Sequence, residues 1–85
     1  MPKPDLILLA LEEASILNLM ERVLRAVKYE TAIAKDLQSL GKILKESTPS
    51  LLLLSEQFDG RDGLKVAKEL QSHFPIHIVP ILIAS

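Results

Sequence analysis

The sequence predicts an α/β domain, an open parallel sheet with helices on its faces in the order βαβαβαβ, and three observations carry that prediction. Leu6–Leu11 and Leu51–Leu54 are unbroken aliphatic runs with no polar face, as expected of strands covered on both sides. Segments between and after them repeat apolar residues at three- and four-residue spacing, the period of a helix packed on one side. The chain has 85 residues, 48% hydrophobic and 25% charged, enough apolar surface for one folded domain and too little length for several. Strands that alternate with helices call for right-handed crossovers and a parallel sheet.

Each element follows in turn. Leu6–Leu11 is the first strand, ended by Glu12 and Glu13. From Ala14 to Val27, Ile16, Met20, Val23, Leu24 and Val27 mark one helix face and Glu21, Arg22 and Arg25 the other. Tyr29–Ala34 is a short second strand. Leu37, Leu40 and Leu44 then repeat at helical spacing as far as Lys45, before the Thr48-Pro49 break. Leu51–Leu54 is the third strand. The polar segment Ser55–Gly63 follows it, with Gly60 and Gly63 suited to turns. Leu64, Ala67, Leu70 and Phe74 mark a third helix that stops before Pro75, and Ile76–Ala84 returns to strand composition.

Composition removes several classes of function. A net charge of -1 and a pI near 6.1 supply no basic field for nucleic acid or an anionic membrane. With no cysteine, disulfides, thiolate metal sites and cysteine nucleophiles are excluded. The first apolar run is too short to span a bilayer, and a cytoplasmic location is the default expectation.

In an open parallel sheet, chemistry gathers at the carboxyl ends of the strands. The residues there are Leu11, Glu12 and Glu13 after the first strand, Ser55, Glu56 and Gln57 after the third, and Ser85 after the fourth. Mg²⁺ takes several oxygen ligands, and Glu12 alone among the carboxylates falls securely in the crevice, so it is a weak metal candidate. Glu12 and Glu13 are expected to be solvated acids that favour the start of the first helix through its dipole. Ser55 has no neighbouring base, because His73 and His77 fall at the opposite end of the sheet. Asp59, Gly60, Asp62 and Gly63 lack the ligand pattern of a calcium loop, and Asp62 is the expected cap of the third helix.

The arrangement resembles the receiver domain of two-component response regulators, a flavodoxin-like fold, over most of the chain. Ile7–Glu13 is similar to the family's first strand and its acidic end, and Tyr29-Glu30 to the start of the second. Pro49–Ser55 is similar to the third strand, which ends in the phosphoacceptor aspartate. Asp62-Gly63-Leu64 is similar to the signature opening the third helix, and Pro80–Ser85 to the fourth strand with its terminal hydroxyl. The resemblance implies the strand order 2-1-3-4.

The departures fall on the phosphotransfer residues. Leu11 stands at the first metal-binding aspartate, Glu12 at the second, and Ser55 at the phosphoacceptor; Ser85 alone keeps a family role, that of the switch hydroxyl. The resemblance therefore implies a pseudo-receiver that binds no cofactor, is not an enzyme, and acts on a protein partner or an attached effector or kinase domain. Helix one and the loop Ser55–Gly63 are the expected contact surfaces. The alternative is a Mg²⁺-dependent receiver phosphorylated on Asp59 or Glu56. The family's fifth strand and helix have no counterpart by Ser85, so the chain is expected to be the front part of a longer protein. Otherwise a second copy is expected to complete the sheet by edge-strand pairing or swapping.

Overall fold

The computed structural model describes residues 5–73 and 81–84. Four strands, β1 (Leu6–Ala10), β2 (Glu30–Ile33), β3 (Leu51–Ser55) and β6 (Ile81–Ala84), form a sheet in the order β2-β1-β3-β6. All its pairings are parallel. The strand order is the one that the receiver resemblance implies. Three helices, α1 (Ala14–Ala26), α2 (Leu37–Glu46) and α3 (Gly63–His73), connect the strands. The fourth strand expected from the sequence is seen as β6; the stretch 76–80 assigned to it, together with Ser85 and His77, lies outside the described residues.

The unbroken aliphatic strands are explained by cores on both faces. Leu8, Ala10, Leu52 and Leu54 point to one side, where Leu40 and Leu44 of α2 and Val66 of α3 complete a buried cluster. Ile7, Leu9, Leu11 and Leu53 point to the other, covered by Leu17, Met20 and Leu24 of α1. Alternate side chains on opposite faces are the consequence of strand geometry. No helix of the described residues is long and apolar enough to cross a membrane.

Three local details differ from the sequence reading. In α3, Leu64 is exposed and Val66 is buried in its stead, while Ala67 and Leu70 pack on the core and Phe74 lies outside the described residues. Of the apolar residues assigned to the packed face of α1, only Met20 and Leu24 pack on the sheet, and Leu17 joins them. Ile16, Val23 and Val27 are exposed. The segment Ser55–Gly63 is also more than a turn, because β4 (Gln57–Phe58) and β5 (Arg61–Asp62) pair antiparallel within it. Asp59 and Gly60 both have positive φ, 52° and 74°, the combination a tight hairpin turn requires and the reason Asp-Gly suits it. Phe58 inserts from this hairpin into the α2/α3 core, 1% exposed.

The helix ends are set by identifiable contacts. At the end of α1 the Lys28 N–H donates to the Arg25 carbonyl (3.0 Å) and the Tyr29 N–H to the Leu24 carbonyl (2.9 Å). Lys28 takes φ 74° to do so, which is the Schellman arrangement with a lysine where glycine is usual. Asp36 caps α2: its Oδ1 accepts the Ser39 N–H at 2.7 Å, and the Ser39 hydroxyl accepts the Asp36 N–H at 3.2 Å.

Candidate functional site at the carboxyl edge of the sheet

β1 and β3 lie side by side with Ala10 opposite Leu54, so the residues that follow them meet at one edge. Leu11, Glu12, Glu13, Ile16, Ser55, Glu56 and Gln57 line a cleft of about 290 Å³ there. The structure therefore brings together all the predicted crevice residues that it describes. Of their polar groups, the Ser55 hydroxyl and one Glu12 oxygen are engaged by the protein itself, while Glu13, Glu56 and Gln57 are exposed.

A chain of hydrogen bonds joins the loops. The Ser55 hydroxyl donates to the Gln57 carbonyl oxygen at 2.6 Å, with the Ala10 carbonyl a longer alternative at 3.4 Å. Ser55 Oγ itself accepts the Glu12 N–H at 3.1 Å. Glu12 Oε1 accepts the Asp59 N–H at 2.9 Å, and Asp59 Oδ2 in turn accepts the Leu37 N–H at 3.1 Å, at the start of α2. The end of β3, the end of β1, the hairpin and α2 are thus bound in series. Each carboxylate bond here is charge-assisted, the stronger kind.

This corrects the expectation for Glu12. It is exposed, but one of its oxygens holds the backbone of the hairpin turn instead of facing only water. Glu13 agrees better with its expected role: it stands at the N-cap of α1, and its carboxylate accepts the Ser15 hydroxyl at 2.9 Å, without bonding to the helix backbone. Asp62 caps α3 as expected, Oδ1 accepting the Leu64 N–H at 3.2 Å. Asp59, weighed for phosphate chemistry, directs an oxygen to α2. That pairing was missed because Asp59 and Leu37 are 22 residues apart and only the Asp-Gly dipeptide hinted at an ordered turn.

Leu11 is the other decisive residue. It is 6% exposed and belongs to the core with Ile7, Leu9 and Leu53. A position that the resemblance assigns to a metal ligand is here part of the packing under α1. Among the described residues, no three acidic, histidine or cysteine side chains gather as a metal site would require. With Leu11 apolar and one Glu12 oxygen engaged, these residues do not fit Mg²⁺, which needs near-octahedral oxygen coordination.

A parallel sheet in this order, covered on both faces and with its polar loops gathered beyond β1 and β3, is the fold of a response-regulator receiver domain. Two solved structures make the likeness quantitative. A protein of Chloroflexus aurantiacus J-10-fl assigned as a response regulator is 29% identical, with a TM-score of 0.82 over 95% of this chain and 66% of that one. The MaeR response regulator, bound to beryllium trifluoride, is 15% identical, with a TM-score of 0.79 over 94% of this chain and 66% of that one. The chain thus spans just under two thirds of each. No protein-family profile matches the sequence, and no curated protein is significantly similar to it.

Proposed function

We propose that the chain is a pseudo-receiver of a two-component system, a cytoplasmic signalling module that does not accept phosphate and acts through protein contacts. The observation that carries this reading is the engagement of the would-be phosphate pocket by the protein itself. Ser55 stands at the end of β3 with its hydroxyl bonded to Gln57 and Glu12. A serine hydroxyl also cannot form the labile acyl phosphate of an aspartate. Leu11 is packed in the core, and Glu12 holds the hairpin.

Such a module carries state by shape. Phe58 anchors the hairpin in the core, and the Glu12–Asp59–Leu37 bonds fix it to β1 and α2. The loop then presents a rigid surface to a kinase or an effector domain, whether separate or covalently attached. β6 is the outer strand of the sheet among the described residues. The edge of β6 away from β3 suits pairing with a further strand, whether from elsewhere in the same protein, from a partner or from a second copy.

Intact mass after incubation with a small phosphodonor and Mg²⁺ tests the reading. The expected result is no phosphoryl adduct. A stoichiometric adduct that disappears in Asp59→Ala or Glu56→Ala would overturn it in favour of a receiver with an atypical acceptor.

A further inference from the structure

Helix α1 carries a second apolar stripe that the fold does not use. Ile16, Leu19, Val23 and Val27 are 39%, 51%, 48% and 57% exposed. At 3.6 residues per turn they fall within an arc of about 80° and extend roughly 16 Å along the axis. Packing against the sheet already occupies Leu17, Met20 and Leu24, so the exposed stripe is surplus to what holds the helix in place. Among the described residues its unpaired charges are also sorted along the helix: Glu12 and Glu13 lie at the amino end and Arg22 and Lys28 towards the carboxyl end, all four exposed, while Glu21 and Arg25 form an ion pair within the helix at 3.5 Å.

That sorting selects an occupant. Two copies of α1 side by side in parallel would set acid against acid and base against base. About a two-fold axis the helices run antiparallel, Ile16 lies over Val27 and Leu19 over Val23, and the acidic end of each copy meets the basic end of the other twice. We propose that α1 is a self-association face on which a second copy of this chain docks antiparallel through Ile16, Leu19, Val23 and Val27, with Glu13 of each copy beside Lys28 of the other. The apolar stripe supplies the attraction, while the rim charges set orientation and contribute less to affinity. Four side chains per copy make a small interface, at the weak end of specific contacts.

Sedimentation velocity on the chain from roughly 10 µM to 1 mM, a range suited to weak dimers, tests the proposal. The expected result is a reversible monomer–dimer equilibrium. Leu19→Asp abolishes it without lowering the melting temperature. Glu13→Lys and Lys28→Glu each weaken association by about three- to tenfold, and the two combined restore it. A protein that stays monomeric throughout would overturn the proposal and leave the stripe to a different protein segment. Association that ignores both Leu19→Asp and the charge variants would also overturn it, and would point to pairing through the β6 edge. No phosphodonor enters this measurement, so its failure and that of the phosphate-free reading are distinguishable.

Discussion

Replacing glycine with alanine is expected to have opposite effects at two helical positions. Gly41 lies within α2, and a Cβ built there meets nothing within 4 Å. Alanine at such a position ordinarily stabilises by about 0.5–1 kcal/mol, by reducing the freedom of the unfolded chain. Gly63 opens α3 where the helix meets the end of β3. A Cβ there would overlap the Ser55 carbonyl oxygen and approach the Glu56 carbonyl oxygen to 3.1 Å. Both are backbone atoms and cannot swing aside. The start of α3 would have to retreat, stretching the 2.7 Å bond from the Gly63 N–H to the Glu56 carbonyl. Overpacking costs about 1–3 kcal/mol and a weakened hydrogen bond about 1 kcal/mol, against a propensity gain of at most about 1 kcal/mol. Gly63→Ala should therefore lose about 1–3 kcal/mol, roughly 5–20 °C in Tm for a domain of this size. Gly41→Ala should gain a few degrees. Thermal melts of the two variants beside the parent, by calorimetry or circular dichroism at neutral pH, measure both effects. A Gly63→Ala protein that melts at or above the parent temperature would refute the close seating of α3 on β3, and with it the geometry given for Ser55.

Other substitutions probe the same construction. Phe58→Ala should cost about 3–5 kcal/mol in chemical denaturation, because the ring is fully buried; a loss below about 1 kcal/mol would detach the hairpin from the core. Leu53→Asp puts an unpaired charge into a strand flanked on both sides and should leave the chain unfolded by circular dichroism. Lys28→Gly should stabilise by about 0.5–1 kcal/mol in thermal melts, by relieving the positive φ. Asp36 responds to pH. The Ser39 backbone N–H, and then the Ser39 side chain, hold its carboxyl below the ordinary value of 3.8. A folded-state pKa below the unfolded one contributes stability that is present above the unfolded value and lost as pH falls through the folded value. In melts from about pH 5 to pH 2, the advantage of the parent over Asp36→Asn should shrink, and a constant gap would contradict this role.

Much of the fold was legible because its signals are local. Leu51–Leu54 shows no alternation, since α1 lies on one side of β3 and α2 and α3 on the other. The Pro49 and Gly60 breaks fell where connections occur. The inner face of α1 was misread because the helix has two adjacent apolar stripes of equal period. Periodicity identifies a stripe; which stripe faces the sheet depends on how the helix is rotated when β1 delivers it. The hairpin was missed because its strands are only two residues long, too short to show alternation. At the site, the positions were legible and the bonds were not. Leu11, Glu12 and Ser55 could be placed at the carboxyl ends of the strands from sequence order. The link from Glu12 to Asp59 spans 47 residues, and no spacing rule reaches that far.

The most direct test of a receiver fold with its phosphate pocket internally bonded is an amide NMR titration of the chain with Mg²⁺ and beryllium fluoride, which takes the tetrahedral shape of a phosphoryl group. The expected spectrum is unchanged at Glu12, Ser55, Gln57 and Asp59, because those groups already hold one another. Saturable shifts centred on these amides, requiring both Mg²⁺ and fluoride, would contradict the reading and show that the pocket still binds a phosphoryl mimic.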